Sequence, residues 1–474
     1  MTSSRRWARA VHHHLVRIAL ALAALAIPAR AGAEKIIAKE GDWDVYTDGR
    51  VGGFVSWAYG DGYPLPTYGT DPATGCPVSL YQAKGGGWAA LTEKKLLNDP
   101  NAPTACGVAL TDQGTLNMFR VRTGFIGNQL GLGVRNQLTD TTKILGYIQI
   151  WAFIESEGRQ KNRPNYADVR QGYVKVEAPW GSVLVGRSRG LFSRGATDID
   201  ALYAHRYGVG FPAPIDSNGP TLGQIGFGVL GSGFSSGVVY ATPVLAGLQL
   251  TAGLFDPIQL QGNGSWFRTK YLRPEGELTF ERTFGATGKV VLFGNGGIQK
   301  VYKDGFCPQP VAGEPTLPCE ATAGGVGYGG RFEYGPLHVG VAGHFGTGLG
   351  LNYALEVSDA STDPQGNLRD FDGYYGQLQV ALGTIDLFTG AGISRVFLTD
   401  ADKEPVPDPT DPTGQRQIPQ YSAIKYQLGI NGGAVYHVSP ALHIDLDYFR
   451  AQARWYYGEQ QVIHAVNGGM TFNW

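Results

Sequence analysis

Residues 45–57 read VYTDGRVGGFVSW, and the pattern of this stretch decides the fold. Successive side chains of a β-strand point to opposite faces, so residues of one parity share a face. Here one face carries Val45, Thr47, Val51, Val55 and Trp57, and the other carries Asp48, Arg50 and Ser56. We therefore predict a strand with one face toward lipid and the other toward water. A slip of one residue would place Arg50 in hydrocarbon, so the register is well specified.

The same alternation recurs along the chain in runs of about ten residues, and the connections between runs alternate between tight and long. Seven connections are tight, at Thr139–Thr142, Pro179–Gly181, Pro243–Gly247, Gly285–Gly288, Tyr334–Pro336, Gly383–Thr384 and Val438–Pro440. Eight are longer and rich in Gly, Pro, Asp and Asn, at about 58–116, 157–167, 189–234, 258–273, 303–322, 348–371, 399–421 and 457–460. Fifteen connections predict sixteen antiparallel strands, with short periplasmic turns at one rim and long external loops at the other.

Composition supports an all-β membrane protein. Of the 474 residues, 70 are glycine, and 11% are aromatic, whereas a disordered glycine-rich chain is poor in aromatic residues. After residue 35 no run of about 18 consecutive apolar residues occurs, which excludes a transmembrane helix. The remaining way to satisfy backbone groups in lipid is a closed barrel. The formal net charge of −1 gives no reason to expect a nucleic-acid partner.

Residues 1–33 are predicted to be a secretory signal peptide. Four arginines precede an apolar run, Ile18–Ile27, that is too short to span a bilayer. The small residues of Ala31–Ala33 then offer a cleavage site. Cleavage near Ala33 would leave 34–474 as the barrel domain, and an uncleaved anchor is the alternative.

The segment 462–474 alternates as the first strand does and ends at an aromatic residue. One parity contains Val462, His464, Val466, Gly468, Met470, Phe472 and Trp474. Aromatic side chains anchor barrel strands at the level of the lipid headgroups. A last strand that ends in Phe or Trp is also typical of bacterial outer-membrane proteins. We therefore predict the outer membrane of a Gram-negative bacterium as the location, with its lipid as a partner.

The four cysteines fall in two long connections, Cys76 and Cys106 in one and Cys307 and Cys319 in another. Because disulfides form in the periplasm, each pair is predicted to close its own loop, with free thiols as the alternative. Neither pair has the spacing of a metal site or a nearby histidine. We predict no metal and no cofactor.

Four blocks of sequence resemble the general trimeric porins of Gram-negative bacteria: Gly49–Phe54, Arg122–Gly127, Arg170–Val174 and Gly181–Arg187. The resemblance implies a homotrimer and a third external loop that folds into the lumen. It also implies that acidic residues of this loop face a ladder of basic residues on the opposite wall. The matching ladder positions are Arg50, Arg122 and Arg170, and Arg120 has the same parity as Arg122. A fourth ladder position, near Ser235, has no basic match.

The predicted constriction loop runs from Arg189 to about Gly233, and its acidic residues are Asp198, Asp200 and Asp216. The Pro-Glu-Phe-Gly-Gly segment of the porin family is absent, and Phe211–Asp216 stands in its place. These carboxylates are predicted to line the pore. The alternative is that Asp198 and Asp200 cap a short helix in a surface loop.

These patterns predict a water-filled channel for passive diffusion of small hydrophilic solutes and ions, and not an enzyme, because no nucleophile motif is found. The alternative is a substrate-specific channel for a sugar, phosphate or organic anion. Sugar channels use an aromatic track, to which Trp180, Tyr203, Tyr207 and Phe211 are candidates. On a late strand, His443, Asp445 and Asp447 share one face, which we interpret as a solvated lumen wall rather than a cation site.

Overall fold

The computed structural model is an all-β protein whose long strands form one closed antiparallel barrel, with two small two-stranded sheets outside it. It describes residues 34–62, 67–81, 83–84, 115–123, 127–152, 167–200, 223–257, 260–262, 265–268, 271–303, 320–352, 354–355, 361–363, 366–408, 410–419 and 422–474. The predicted signal peptide of residues 1–33 lies outside these ranges and stays a prediction.

The strands are numbered here in chain order: β1 (Lys35–Glu40), β2 (Trp43–Asp61), β3 (Thr67–Thr70), β4 (Pro77–Tyr81), β5 (Ala83–Lys84), β6 (Thr115–Arg122), β7 (Asn128–Thr139), β8 (Thr142–Ala152), β9 (Ala167–Ala178), β10 (Gly181–Arg189), β11 (Phe234–Ala241), β12 (Leu248–Phe255), β13 (Leu260–Gly262), β14 (Ser265–Arg268), β15 (Arg273–Phe284), β16 (Gly288–Lys303), β17 (Glu320–Tyr334), β18 (Leu337–Thr347), β19 (Asp370–Leu382), β20 (Ile385–Phe397), β21 (Pro405–Pro407), β22 (Gln417–Pro419), β23 (Ser422–His437), β24 (Leu442–Trp455) and β25 (Gln460–Asn473). Two short helices lie in loops, α1 (Arg194–Ile199) and α2 (Asp400–Lys403).

Neighbouring strands pair in sequence order, and β25 returns to pair with β2, from Arg50↔Asn473 to Gly60↔Ile463. Both β6 and β7 pair with β2, β6 with its external half and β7 with its periplasmic half, so together they make one barrel strand. Within the described residues the barrel therefore has sixteen strands, which confirms the predicted fold class. All seven predicted tight turns join consecutive barrel strands.

Strand β1 was not predicted, and neither were seven short strands within the predicted long connections: β3, β4, β5, β13, β14, β21 and β22. The exposed strand β1 pairs with the start of β2, between Lys35↔Thr47 and Glu40↔Trp43, beside the segment of β2 that β25 does not reach. Its sequence, KIIAKE, has two adjacent isoleucines and no regular alternation of apolar and polar residues. The signal that identified the other strands is therefore missing here.

The two faces of the wall differ as the alternation predicts. On β2, Val51, Val55 and Trp57 are 52%, 44% and 42% exposed, whereas Phe54 and Ser56 are buried toward the interior. Exposed aromatic side chains lie near both rims: Trp57, Phe119, Tyr271, Phe345, Tyr374 and Phe397 near the external one, and Trp43, Trp180, Tyr334, Tyr436 and Phe472 near the periplasmic one. Such girdles mark the two interfaces of a barrel with lipid. None of the helices in the described ranges is long and apolar enough to span a membrane.

The predicted disulfides are largely beyond what the structure describes. Cys76 lies within the described residues, and Cys106, Cys307 and Cys319 lie outside them. The two pairings stay predictions.

Candidate functional site

The loop between β10 and β11 enters the barrel, and its first turn is fixed to the inner wall by one carboxylate. Glu275, on the inward face of β15, accepts hydrogen bonds from the backbone amides of Leu191 at 2.6 Å and Phe192 at 3.0 Å. The same carboxylate pairs with Arg273 at 2.7 Å, and both side chains are almost fully buried. This contact confirms that the third external loop folds inward.

Helix α1 lies against the adjoining part of the wall, on β15, β16, β17 and β18. The amide of Ser193 donates to Asn295 Oδ1 at 2.9 Å, and Arg194 pairs with Glu277. Two of its side chains, Ala196 and Ile199, join an apolar cluster whose other members are Ile225, Val229, Phe293, Ala342 and Tyr375. A Cβ on Gly195 would lie 2.3 Å from the ring of Phe293, so the helix approaches the wall as closely as only glycine permits.

The second described part of the loop, residues 223–233, continues along the wall to β24. Gly228 donates from its amide to Ser394 Oγ at 2.9 Å, and the Gln427 side chain donates to the carbonyl of Gly226 at 2.9 Å. Farther along, the rings of Phe227 and Phe449 meet edge to face at 5.1 Å. The loop is thus attached to inward residues from β15 through β24, which is the greater part of one side of the barrel.

The predicted loop acids have different positions. Asp198 is 52% exposed and pairs with Arg189 at 2.7 Å. Asp200 is fully buried and accepts from Tyr375 Oη at 3.1 Å and from the amide of Gln224 at 3.0 Å. Asp200 therefore joins the two parts of the loop to β19 and does not line open space. Asp216 lies outside the described residues.

Of the two acids in the helix-capping alternative, Asp200 is the C-cap residue of α1, and neither acid lies at the N-terminus of the helix. The N-cap of α1 is Ser193, whose side chain makes no capping hydrogen bond, and Asp198 and Asp200 lie at the other end of the helix. A carboxylate stabilises a helix when it lies at the N-terminus, where the amides are unpaired. At the C-terminal end Asp200 instead supplies tertiary hydrogen bonds.

Four basic residues were candidates for the ladder, and the structure describes the side chains of two of them, Arg50 and Arg170. Arg50 faces inward, is 2% exposed, and interacts electrostatically with Asp445. For Arg120 and Arg122 the structure gives the strand positions alone, opposite Ser56 and Phe54 of β2. Their role in the constriction stays a prediction.

Arg170 reaches the interior through a break in the sheet. The register between β8 and β9 shifts between Gln149 and Ile150, so Arg170 has no partner opposite it. Such a bulge redirects a side chain. Its guanidinium lies over the inward ring of Trp151 at 4.9 Å and pairs with Asp168 at 2.7 Å.

Replacement of Arg170 by glutamine should make the pore less favourable to anions. A unit charge about 7 Å from a passing ion in water contributes about 0.6 kcal/mol, close to RT. Because the charge acts with opposite sign on a cation and an anion, the two differ by about 1.2 kcal/mol, and the ratio of cation to anion permeability should rise roughly sevenfold. Reversal potentials in a KCl gradient measure this ratio, and R416Q, in an external loop, is the matched control. Equal reversal potentials for the wild type and R170Q would mean that Arg170 does not act on ions in the constriction.

The aromatic residues proposed for a sugar track are not assembled in the described part. Trp180 lies in the turn between β9 and β10, is 51% exposed, and stacks on the outward ring of Tyr240 at 6.3 Å. It is therefore a membrane-interface residue. Tyr203, Tyr207 and Phe211 lie outside the described residues.

Inward aromatic residues that the sequence analysis missed occur on β2, β8 and β9. The rings of Tyr46 and Tyr147 are 6.4 Å apart, and those of Tyr147 and Tyr173 are 5.5 Å apart. Tyr147 donates to Asp48 at 2.8 Å, and Cβ atoms on Gly131 or Gly133 would collide with this group. The alternation in the sequence is enough to place each of the three tyrosines on the inward face of its strand. That they are neighbours depends on the register between strands, which the sequence does not give.

Comparison with known proteins identifies the fold of the chain through similar solved structures. No family model and no curated protein matches this sequence. Among solved structures, the outer membrane channel DcaP of Acinetobacter baumannii is 11% identical, with a TM-score of 0.59 over 94% of this chain and 100% of that chain. The anion-selective porin from Comamonas acidovorans is 12% identical, with a TM-score of 0.54 over 91% and 100%. Salmonella typhi OmpF in complex with daunomycin is 11% identical, with a TM-score of 0.50 over 93% and 100%.

These likenesses define the class of architecture: the chain has the sixteen-stranded fold of the outer-membrane porins. At such identities the similarity concerns the fold alone. The assignment of a function therefore depends on the residues of the barrel interior.

Proposed function

We propose that this protein is an outer-membrane channel through which small hydrophilic solutes and ions diffuse passively, and not an enzyme. The observation that carries the proposal is the inward loop, which is bonded to the wall at Glu275, Asn295, Tyr375, Ser394 and Gln427. Because the loop is bonded to the wall at these five residues, the wall and not the loop alone keeps it inside the barrel, where it narrows the lumen. A constriction with charged groups favours hydrated polar solutes over apolar ones.

We further propose that the protein acts in the outer membrane of a Gram-negative bacterium as a homotrimer, with contacts near the strands that close the barrel. The support is a group of polar side chains on the outward face there. Tyr448 Oη and His464 Nδ1 are 2.7 Å apart, His464 stacks on Tyr59 at 5.1 Å, and Trp57 donates to Asn117 at 2.9 Å. Polar groups on an outward face are costly against lipid and less so against a second protein surface.

A substrate-specific channel is the second candidate, and the inward tyrosines favour it. Beside them Gln149 accepts from Trp151 Nε1 at 2.8 Å and from the Gln171 side chain at 2.9 Å, which makes a wall of rings and amides next to Asp48 and Arg170. Sugars bind to such walls through ring faces and hydrogen bonds.

Swelling of proteoliposomes in isotonic sugar solutions separates these candidates. A diffusion channel predicts swelling rates that fall smoothly as the sugar becomes larger, whatever its stereochemistry. Fast swelling with one sugar and slow swelling with its isomers would favour the specific channel. If the folded barrel, inserted in the same liposomes, gives no swelling with any small solute, the channel proposal is wrong.

A further inference from the structure

The outward face of β24 changes from apolar to basic as the strand approaches the external rim. In its periplasmic half this face is apolar, and Leu446 is 59% exposed. In its external half the same face carries Arg450, Gln452 and Arg454. Every second residue of Phe449–Trp455 is fully buried on the inward face, so alternation directs these three side chains outward. We call Arg450, Gln452 and Arg454 the basic patch.

The arginines of the basic patch form no ion pair with any residue that the structure describes. Arg450 donates to Gln452 Oε1 at 3.1 Å, and Arg454 is exposed next to the last residue of the strand. Lys425, in a bulge at the external end of β23, is also exposed, and its ammonium lies 5.6 Å from the ring centre of Tyr456. The external halves of β23 and β24 therefore carry three cations that no described carboxylate neutralises.

The carboxylates that flank the basic patch are directed elsewhere. Asp61, at the end of β2, accepts from the amide of Val462 at 2.8 Å, and Glu459 has its Oε1 atom buried. On β19 and β20, by contrast, the outward side chain of Arg395 is paired with Asp372. An excess of positive charge therefore remains on the outer wall at β24.

The register places the basic patch on the water side of the external aromatic girdle. Trp57 of the girdle is opposite Val466, which is in turn opposite Tyr448. Arg450 and Arg454 follow Tyr448 on the same face of β24, two and six residues closer to the external rim. With about 3.4 Å per residue and a tilt of about 40°, they lie roughly 5 Å and 16 Å outside the girdle. Since such girdles mark the level of the lipid headgroups, the basic patch faces headgroups and not hydrocarbon.

The spacing of the two arginines restricts the kind of headgroup that fits. Four residues of a strand span about 14 Å, so anions bound at Arg450 and Arg454 are about that far apart. A guanidinium binds a phosphate through two parallel hydrogen bonds. Between the arginines, the Gln452 amide donates to Tyr426 Oη at 3.4 Å and to Gln460 Oε1 at 3.2 Å, which makes a neutral polar surface. A headgroup with a phosphate at each end and uncharged hydroxyl groups between them matches this order of charges.

We propose that the basic patch docks a lipid of the external leaflet whose disaccharide headgroup carries a phosphate at each end. The inference rests on the proposed placement in the outer membrane and does not depend on conduction. One phosphate binds at Arg450 and the other at Arg454, while Lys425 adds electrostatic attraction. The acyl chains of the lipid extend over the apolar part of β24, which includes Leu446. A lipid bound in this way holds the closing strands of the barrel at a fixed depth in the bilayer.

Diphosphoryl lipid A, a disaccharide lipid with two phosphates, is the probe. The readout is the number of lipid A molecules bound per refolded barrel in detergent, measured by native mass spectrometry over a range of lipid concentrations. Arg450→Gln and Arg454→Gln should each raise the half-saturating concentration about tenfold, because each removes one charge-assisted phosphate contact. Monophosphoryl lipid A should bind to the wild type about tenfold more weakly for the same reason. Arg282→Gln, which removes an exposed arginine near the periplasmic rim, is the matched control and should bind as the wild type does.

Four results would overturn the inference. Equal binding by the wild type, R450Q, R454Q and R282Q would mean that the acyl chains alone hold the lipid. Equal affinity for the monophosphoryl and diphosphoryl lipids would exclude the two-phosphate geometry. Displacement of lipid A by an equal concentration of inorganic phosphate would assign the arginines to free phosphate. Dissociation of an oligomer by R450Q or R454Q without lipid present would make the basic patch a contact with a second copy of the chain.

The design separates this inference from folding and from conduction. If R450Q does not fold, R454Q still decides the matter, because Arg454 is exposed at the end of its strand. A barrel that conducts but does not bind lipid A contradicts the docking of the lipid alone. A barrel that binds lipid A with the expected loss in both variants and yet does not conduct contradicts the proposed function and supports the docking site.

Discussion

Replacement of Gly228 by alanine is expected to lower the conductance of the channel and to make it fluctuate. Gly228 has a φ of 93°, in the left-handed region that disfavours a side chain. An added Cβ would lie 2.1 Å from the carbonyl oxygen of Tyr374 and 3.0 Å from the Cα of Gly392. Because the wall is backbone on both sides, the loop must move toward the channel axis. Its hydrogen bond to Ser394 is then lost, at a total cost of about 2–3 kcal/mol.

The matched control is Gly233→Ala in the same loop. An added Cβ on Gly233 meets nothing within 4 Å. G233A should therefore conduct as the wild type does, with the same stability within about 0.5 kcal/mol. Single-channel recording gives the conductance, and the heat-induced loss of the folded band on gels gives the stability. Equal conductance and equal stability of the two variants would mean that the loop does not rest on the wall at Gly228.

Replacement of Glu275 by alanine should cause the largest loss of stability. The carboxylate holds the amides of Leu191 and Phe192 and neutralises Arg273, which is 3% exposed. Removal of one member of a buried ion pair leaves the other charge unpaired, and the cost is about 3–5 kcal/mol. The first turn of the inward loop also loses its attachment, so permeability to larger solutes should increase.

Glu281→Ala provides the comparison on the same strand. Glu281 is 56% exposed and pairs with Lys289, so E281A should cost less than about 1 kcal/mol. The free energy of unfolding in urea, measured for both variants in the same detergent, tests the difference. A loss for E275A no greater than that for E281A would refute an anchoring role for Glu275.

The sequence was sufficient to predict the long strands of the barrel wall and the direction of their side chains. Alternation in β2 placed Val51 and Val55 outward and Arg50 inward, because a strand has a period of two wherever it occurs. Tight turns were readable for a similar local reason, since Gly, Pro and Asn select turn geometries. Strand β1 was not predicted because its two adjacent isoleucines break the alternation of apolar and polar residues.

The interior was much less predictable, because its contacts join residues far apart in the chain. Asp200 was placed on the correct loop, but its bond to Tyr375 spans 175 residues and depends on where the loop crosses the wall. The inward direction of Arg170 matched the family pattern, yet the bulge that produces it is a feature of register. Glu275 and Glu277 were missed, although with Arg273 they alternate on one face of a strand, which is a signal for the lumen.

The central claim is that the barrel with its inward loop is an open, water-filled pore. Single-channel recording of the refolded protein in a planar bilayer tests it most directly. We predict ohmic steps that occur in groups of three equal levels, with a reversal potential in a KCl gradient that shifts in R170Q. A heat-modifiable, correctly folded barrel that inserts into the bilayer and yet gives no conductance steps would contradict the account.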